Sequence, residues 1–226
     1  MAICAAWSKL PPIIERMIII MEIIDISRDM LRCKIYPGDP EPRADIIRSI
    51  EDGDECNLAA VYAGLHTGTH VDAPLHFIED GRPVDALPLS CFIGECTVIE
   101  LPPGPVTGDY IERKFPRAKE RVLIKGGGEA YFLESAATEL AMYKLRLIGT
   151  DSVSIGAEGS QRAVHRAILR EDIAILEGLD LKNVSAGNYF LMAQPLKIGG
   201  AEAAFCRAIL VSDYIFWSAK PREGGR

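Results

Sequence analysis

The chain has 226 residues, of which 48% are hydrophobic and 25% are charged, and its formal net charge is −7. This composition fits a globular protein of one large or two small domains, and it excludes collagen-like, disordered and disulfide-scaffold classes. The negative charge argues against partners such as nucleic acid or an anionic membrane surface.

The two ends of the chain and its cysteines carry no recognisable site. The apolar run over residues 11–26 is interrupted by Glu15, Arg16 and Glu22, so it falls short of the roughly 18 residues that a membrane span needs. The six cysteines include no Cys-x-x-Cys pair, and scattered thiols of this kind are typical of a reducing compartment, so we expect a cytoplasmic protein. We expect residues 1–21 to be an N-terminal extension, 22–219 the single domain and 220–226 a polar tail.

Short apolar runs bounded by turn residues dominate the chain and predict strands. In chain order these predicted strands are Glu22–Ile26, Leu58–Leu65, Glu95–Leu101, Arg121–Lys125, Leu145–Gly149, Ile173–Leu176, Tyr189–Ala193 and Arg207–Val211. Helical spacing of apolar residues predicts helices over Tyr131–Leu145 and Gln161–Arg170, whereas the prolines of Tyr36–Pro42 require an extended loop. Because strands outnumber helices, we predict a single α/β domain with a mixed, largely antiparallel or barrel-like sheet.

Three of the four histidines lie in one stretch of eleven residues, His66-Thr-Gly-Thr-His70-Val-Asp72-Ala-Pro-Leu-His76. On a strand, His66, His70 and Asp72 have the same parity and point to one side, and Gly68 between them leaves space for an ion or a substrate. Two imidazoles and a carboxylate suit Zn²⁺, Mn²⁺ or Fe²⁺, and the two oxygens of Asp72 can bridge two ions.

Further polar residues can complete this site. His76 follows the turn at Pro74, where an imidazole can transfer protons near neutral pH without binding the metal. His165 lies in the second predicted helix and Glu177 follows a predicted strand, so both can reach the metal from across the site. Taken alone, each of these two is more often an ordinary core or surface residue.

The histidine stretch resembles the signature of the metal-dependent cyclase family, which includes bacterial kynurenine formamidase and isatin hydrolase. The resemblance extends over roughly residues 22–215 and includes Asp25-Ile-Ser27, Tyr36-Pro-Gly-Asp39, Gly149-Thr-Asp151-Ser152 and His165-Arg together with Leu176-Glu177-Gly-Leu179. It implies an α/β domain with a swivelling β/β/α barrel-like core and a homodimer or homotetramer. Phe92, Ile93 and Tyr214–Trp217 are candidates for such an interface, although core packing explains them equally well.

The resemblance also implies roles for individual residues. His66, His70 and Asp72 would hold a first divalent ion, and Asp72 and Glu177 would bridge to a second ion that His165 also binds. His76 would be the proton donor and acceptor, and the number of Zn²⁺ or Mn²⁺ ions, one or two, stays open. Tyr36 replaces the tryptophan with which the formamidase branch contacts its aromatic substrate, so an aromatic surface is kept but kynurenine specificity is not implied.

The expected activity is hydrolysis of a linear or cyclic amide by metal-activated water, with His76 as acid and base. A cyclase or lactonase-type activity on a non-aromatic substrate is the alternative that uses the same site. A non-catalytic protein that binds a metal or small ligand is another, but such a protein has no need of His76 beside the metal ligands.

Overall fold

The computed structural model describes residues 21–212. The expected extension up to residue 20, the expected tail and the stretch Tyr214–Trp217 lie outside the described residues. Among the described residues, no helix is long and apolar enough to cross a membrane. The five cysteines of this part of the chain are free thiols.

The secondary structure consists mainly of short strands, as predicted. The strands are β1 (Glu22–Asp25), β2 (Arg43–Arg48), β3 (Leu58–Tyr62), β4 (His70–Asp72), β5 (Ile93–Glu100), β6 (Gly104–Val106), β7 (Arg121–Lys125), β8 (Ala130–Phe132), β9 (Leu147–Thr150), β10 (Ala174–Glu177), β11 (Gly187–Met192), β12 (Ala203–Phe205) and β13 (Ile209–Ser212). The α-helices are α1 (Gly108–Lys114), α2 (Glu134–Leu140) and α3 (Gln161–Leu169).

Within residues 21–212 the main sheet has nine strands in the order β1-β13-β11-β5-β7-β9-β10-β4-β12. The neighbours among β5, β7, β9 and β10 run parallel, and the other pairs are antiparallel. Helices α1, α2 and α3 lie in the connections between the parallel strands, as parallel pairing requires. The result is a single α/β domain with a curled mixed sheet, which confirms the predicted fold class.

The core lies on both faces of this sheet because successive side chains of each buried strand point in opposite directions. Val122 and Ile124 of β7 pack in the cluster that contains the buried faces of the helices. Leu123 lies between them in sequence and packs on the other face, in the cluster with Val71 and Leu176. Phe92 is fully buried in this second cluster, so it is a core residue and not an interface aromatic.

Two of the helices differ from the predictions. The predicted helix Tyr131–Leu145 is a short strand followed by a shorter helix, because residues 130–132 pair in parallel with β6 before α2 begins. Helix α1 has no counterpart among the predictions; the Thr107 hydroxyl caps it by accepting a hydrogen bond from the backbone N–H of Tyr110.

Strands β2 and β3 form a separate antiparallel hairpin. Every residue of both strands is exposed, including Ile46 at 77% and Val61 at 57%. An isolated two-stranded hairpin has little stability of its own in water. This hairpin therefore presents unpartnered apolar surface within the described residues.

Candidate metal centre

The histidine stretch is a turn followed by the short strand β4, and not the single extended strand that the sequence predicted. β4 begins only at His70, and Gly68 has a φ of 68° that breaks the alternation of a strand. His66 therefore reaches the site from a turn and not from the strand face shared by His70 and Asp72. A side chain at Gly68 would point toward Met30 and Cys33, so the expected space for an ion at that position is absent.

A close approach between two glycines sets the position of Glu177. Gly178 follows β10 with a φ of 67°, and a Cβ atom at this position would overlap the Gly68 carbonyl oxygen. The Thr69 hydroxyl donates a hydrogen bond of 2.7 Å to the Gly178 carbonyl across the same contact. The antiparallel register then pairs Glu177 directly with His70, which puts both side chains on one face of the sheet.

The Asp72 carboxylate lies at the centre of the cluster. Its Oδ1 atom is 2.9 Å from His66 Nδ1 and 3.4 Å from His70 Nε2, and its Oδ2 atom is 3.5 Å from His165 Nε2. Glu177 lies beside it, with Oε1 at 3.2 Å from His165 Nε2 and Oε2 at 3.6 Å from His70 Nε2. The structure thus brings together all five residues that the resemblance implies as metal ligands.

Backbone carbonyls orient two of these histidines. The Nδ1–H group of His70 donates to the Gly68 carbonyl oxygen at 3.1 Å, and that of His165 donates to the Gln161 carbonyl oxygen at 2.9 Å. Each bond leaves Nε2 directed at the two carboxylates. A ring oriented in this way presents the Nε2 lone pair to a metal, as metal-binding histidines usually do.

The cluster contains buried polar atoms that have no hydrogen-bond partner in the protein. A metal ion bound among them would supply the missing partner. Nε2 of His70 and both carboxylate oxygens of Asp72 are buried without a hydrogen bond of acceptable geometry, although histidine nitrogens lie close to them. Leaving such atoms unsatisfied is costly. Ligand atoms of two overlapping groups, His66/Asp72/His76 and His70/Asp72/Glu177, each lie within 4.8 Å of one another. The nitrogen and carboxylate donors fit Zn²⁺ or Mn²⁺.

The electrostatics of the cluster without an ion reflect buried opposite charges. Burial lowers the pKa of His70 and of His165, but the carboxylates of Asp72 and Glu177 outweigh it and raise both pKa values to about 10. Burial raises the pKa of Asp72, but His66 and the other imidazoles hold it well below its usual range. Burial and the charge of Asp72 raise the pKa of Glu177, but His165 and His70 outweigh them and lower it. The two carboxylates are therefore ionised, as metal ligands must be.

His76 lies at the edge of the cluster. Its ring centroid is 4.1 Å from that of His66 and 5.8 Å from that of His165. Burial is the main cause that lowers the pKa of His76 to about 4, so the ring is neutral near pH 7 and is able to accept a proton. Its place in one of the two candidate ligand groups means that a role as a third ligand to that ion is the competing interpretation.

A cavity of about 230 Å³ opens beside the cluster and is lined by Tyr36, the residue predicted to bind the substrate. Tyr36, His66, His76, His165 and Glu177 contribute to its wall. Phe77 supplies a second aromatic wall, with its ring 4.2 Å from that of His76.

Two residues of this site escaped the sequence analysis. Glu202 Oε1 lies 3.6 Å from His66 Nε2, and Gln161 joins the cavity wall as well as orienting His165. No local pattern marks Glu202, which reaches the site only because β12 pairs with β4. Gln161 stands at the predicted helix start, where polar residues are common for structural reasons.

Comparison with known proteins supports the family resemblance. Residues 23–157 match the Putative cyclase family. A kynurenine formamidase from Erythrobacter litoralis is 36% identical over 189 residues, which cover 78% of this chain and 87% of that protein. A kynurenine formamidase from Salinibacter ruber is 35% identical over 206 residues, covering 84% and 97% of the two chains.

Among solved structures, the fold matches one described as a potential metal-dependent hydrolase with cyclase activity. The TM-score is 0.71 at 28% identity, and the match covers 86% of this chain and 99% of that one. The chain therefore belongs to the cyclase family of metal-dependent amide hydrolases.

Proposed function

We propose that this chain hydrolyses the amide of an aromatic amine, such as an aryl formamide, at a centre that holds one or two divalent ions. His66, His70, Asp72, His165 and Glu177 would be the ligands, and Zn²⁺ or Mn²⁺ the ion. The observation that carries the proposal is the buried Asp72 carboxylate, which faces three imidazoles while neither of its oxygens has a hydrogen bond. The kynurenine formamidases at 35–36% identity support an aryl formamide as the substrate.

A bound divalent ion would lower the pKa of a coordinated water and polarise the substrate carbonyl. In the proposed reaction His76 accepts a proton from the attacking water and delivers it to the leaving nitrogen as the C–N bond breaks. The products are a carboxylic acid and the free amine, so one water is consumed for each amide. Tyr36 and Phe77 would hold the aromatic ring between them.

Metal analysis combined with a substrate screen tests this proposal. We expect purified protein to contain Zn²⁺ or Mn²⁺ and to hydrolyse formanilide, with activity lost on chelation and restored by the metal. Cyclic imides and lactones belong in the same screen. Turnover of a lactone without any amide turnover would favour the lactonase-type alternative, and full metal content with no turnover would favour a non-catalytic binding protein.

The role of His76 has its own test. His76→Ala should keep full metal content and lose about 10²–10⁴-fold in kcat, the range expected for a missing acid–base group. Loss of metal in His76→Ala would identify His76 as a ligand and contradict the proposed proton transfer. Unchanged kcat at full metal content would contradict it as well.

We also propose that the chain is a homodimer or homotetramer, assembled through the β2–β3 hairpin. The apolar side chains that this hairpin exposes, among them Ile46 and Val61, support an interface there. Light scattering of the purified protein should give a multiple of the monomer mass. Ile46→Lys should lower that mass, whereas Met142→Lys, at an equally exposed residue outside the hairpin, should leave it unchanged. A monomeric wild-type protein would refute the proposal.

A further inference from the structure

His76 differs from the buried histidines of the metal centre in what holds its ring in place. The rings of His70 and His165 each donate a hydrogen bond to a backbone carbonyl. The His76 ring forms no hydrogen bond within residues 21–212, and its centroid lies 4.1 Å from that of His66 and 4.2 Å from that of Phe77. The position of the His76 ring is therefore set by the segment of chain that carries it.

This segment is the 74–82 loop, which is closed on itself. The Leu75 N–H group donates a hydrogen bond of 3.1 Å to the Arg82 carbonyl oxygen and joins the two ends of the loop. A Cβ atom at Gly81 would lie 2.5 Å from the carbonyl carbon of Pro74, so the two ends are in close contact. A loop packed in this way moves as a unit, and a contact made by one of its residues positions the others.

Arg166 attaches the 74–82 loop to helix α3. Its side chain donates a hydrogen bond of 3.2 Å to the carbonyl oxygen of Phe77, the residue after His76. The Arg166 side chain is half-buried and forms no ion pair within residues 21–212. Arg166 also follows His165 directly, and the Phe77 ring lies 4.8 Å from the His165 ring. The hydrogen bond thus joins the loop that carries His76 to the helix that carries His165.

A second contact holds the other end of the loop. Nε and Nη2 of Arg82 lie 3.1 and 2.9 Å from Oδ1 of Asp172, which follows α3. Asp172 has a φ of 57°, and no other non-glycine residue within residues 21–212 has a positive φ. Glycine is the usual residue in this conformation after a helix, so the backbone alone does not explain an aspartate here. The contact of its carboxylate with Arg82 does explain it.

We propose that Arg166 is a positioning residue for the reaction at the metal centre. Through the Phe77 carbonyl it holds the 74–82 loop so that the His76 ring stays within reach of the reacting groups, and the contact between Arg82 and Asp172 supports the same loop. This inference rests on the proposed function, in which His76 transfers a proton. A group that transfers a proton must lie within hydrogen-bond distance of its partner, and a displacement of about 1 Å can cost about 100-fold in rate.

Kinetics of the metal-loaded variants with formanilide test the inference. Arg166→Met removes the donor from a side chain of similar shape, so kcat should fall about 10- to 100-fold while KM changes less than about twofold. The metal content should stay full. Arg166→Lys keeps a donor and should recover part of the lost kcat. Arg162→Met is the matched control, at an exposed arginine of the same helix whose side chain forms no hydrogen bond or ion pair within residues 21–212, and it should keep the wild-type kcat.

Asp172→Gly keeps the inference testable if Arg166→Met fails to fold. Glycine accepts the left-handed conformation at this position, so the melting temperature should stay close to that of the wild type. The contact with Arg82 is lost, and kcat should fall about threefold, the effect expected of one exposed ion pair.

The NMR signal of the His76 ring gives a readout that does not depend on turnover. The chain has four histidines, and His76→Ala identifies the Cε1–H signal of His76 in the Zn²⁺-loaded protein. Arg166→Met should shift or broaden this signal, whereas the signal of His70, whose ring is held by the Gly68 carbonyl, should stay unchanged.

Wild-type kcat in Arg166→Met and Asp172→Gly would overturn the inference, and so would an equal loss of kcat in Arg162→Met. A reduced kcat with an unchanged His76 signal would overturn it as well, because Arg166 would then act without moving His76. Wild-type protein that hydrolyses no formamide would refute the proposed function, and the His76 signal would then decide by itself whether Arg166 positions this ring.

Discussion

The Asp72 carboxylate is the central anionic group of the metal centre, because three imidazoles face its two buried oxygens. It is also common to both candidate ligand groups. Glu202 is a useful contrast, since it approaches only His66 and its side chain is 41% exposed. Loss of the Asp72 carboxylate should therefore reduce metal affinity and hydrolysis far more than loss of the Glu202 carboxylate.

Asp72→Asn should lower metal affinity by more than about 100-fold and abolish detectable hydrolysis, since an amide cannot replace a shared anionic ligand. Glu202→Gln should cost less than about tenfold in either property, because a half-exposed neighbour is well solvated. Metal titration followed by spectroscopy or calorimetry measures both. Similar losses in the two variants would contradict a central role for Asp72.

Metal binding should be coupled to proton release. The folded-state pKa values of His70 and His165 are raised to about 10 from 6.5, so in metal-free protein their stabilising contribution is complete below pH 6.5 and is lost as the pH rises through about 10. An ion requires its imidazole ligands to be neutral, so at pH 7 its binding should displace at least two protons, and affinity should rise with pH. Calorimetry in buffers of different ionisation enthalpy counts these protons. Metal binding without proton release would show that the two imidazoles are already neutral.

At the scale of elements, the centre depends on how closely the β4 turn approaches the end of β10. Two residues with positive φ, Gly68 and Gly178, meet there, and the Thr69–Gly178 hydrogen bond crosses the contact. The neighbouring antiparallel pairing then sets Glu177 against His70. Displacement of either segment would separate ligands that lie far apart in sequence.

Gly178→Ala should therefore destabilise the protein by about 3 kcal/mol or more and reduce its metal affinity, because a methyl group adds a backbone clash to an unfavourable φ. Gly127→Ala is the matched control. Gly127 has a similar φ of 66° but nothing within 4 Å of its Cβ position, so only the conformational cost of about 1 kcal/mol is expected. Urea unfolding of the metal-free variants compares them, and equal losses would show that the close contact contributes nothing.

At the scale of the whole molecule, the ligands come from two distant stretches of the described chain, residues 66–72 and 165–177. Strand β4 lies between β10 and β12 in the sheet, and His165 is supplied by the α3 crossover between β9 and β10. An ion bound to these residues would join two segments whose nearest ligands, Asp72 and His165, are 93 positions apart in sequence. Metal binding should thus stabilise the entire domain.

Chelation should lower the melting temperature by roughly 5–10 °C relative to protein with free metal at about 100 times its dissociation constant. The physical reason is that the ion binds the folded protein and compensates for buried carboxylates that otherwise face only imidazoles. Scanning calorimetry with and without chelator gives the shift, and re-addition of the metal is the control. An unchanged melting temperature would exclude an ion at this buried cluster.

The sequence predicted more about which residues matter than about how they meet. The histidine stretch identified His66, His70 and Asp72 from residue types and spacing, but the strand parity used for His66 was wrong because Gly68 turns the chain before β4. Strand periodicity found β7, β9 and β10 because their apolar runs are long enough for a local pattern. Helix α2 was predicted to begin too early because parallel pairing with β6 overrides local helical spacing.

By itself, the sequence determined the mixed α/β class, the metal-binding residue types and the family resemblance. Composition, the periodicity of apolar residues and short motifs can all be read from the sequence without knowledge of which segments pack together. Only the tertiary structure decided that His165 lies against both Asp72 and Glu177, that Glu202 approaches His66, and that Tyr36 lines a cavity beside the metal centre. These contacts depend on strand order and register, which arise from long-range pairing of β4 between β10 and β12. A short motif contains no information about which distant strand will lie beside it, because that choice is made by packing of the whole sheet.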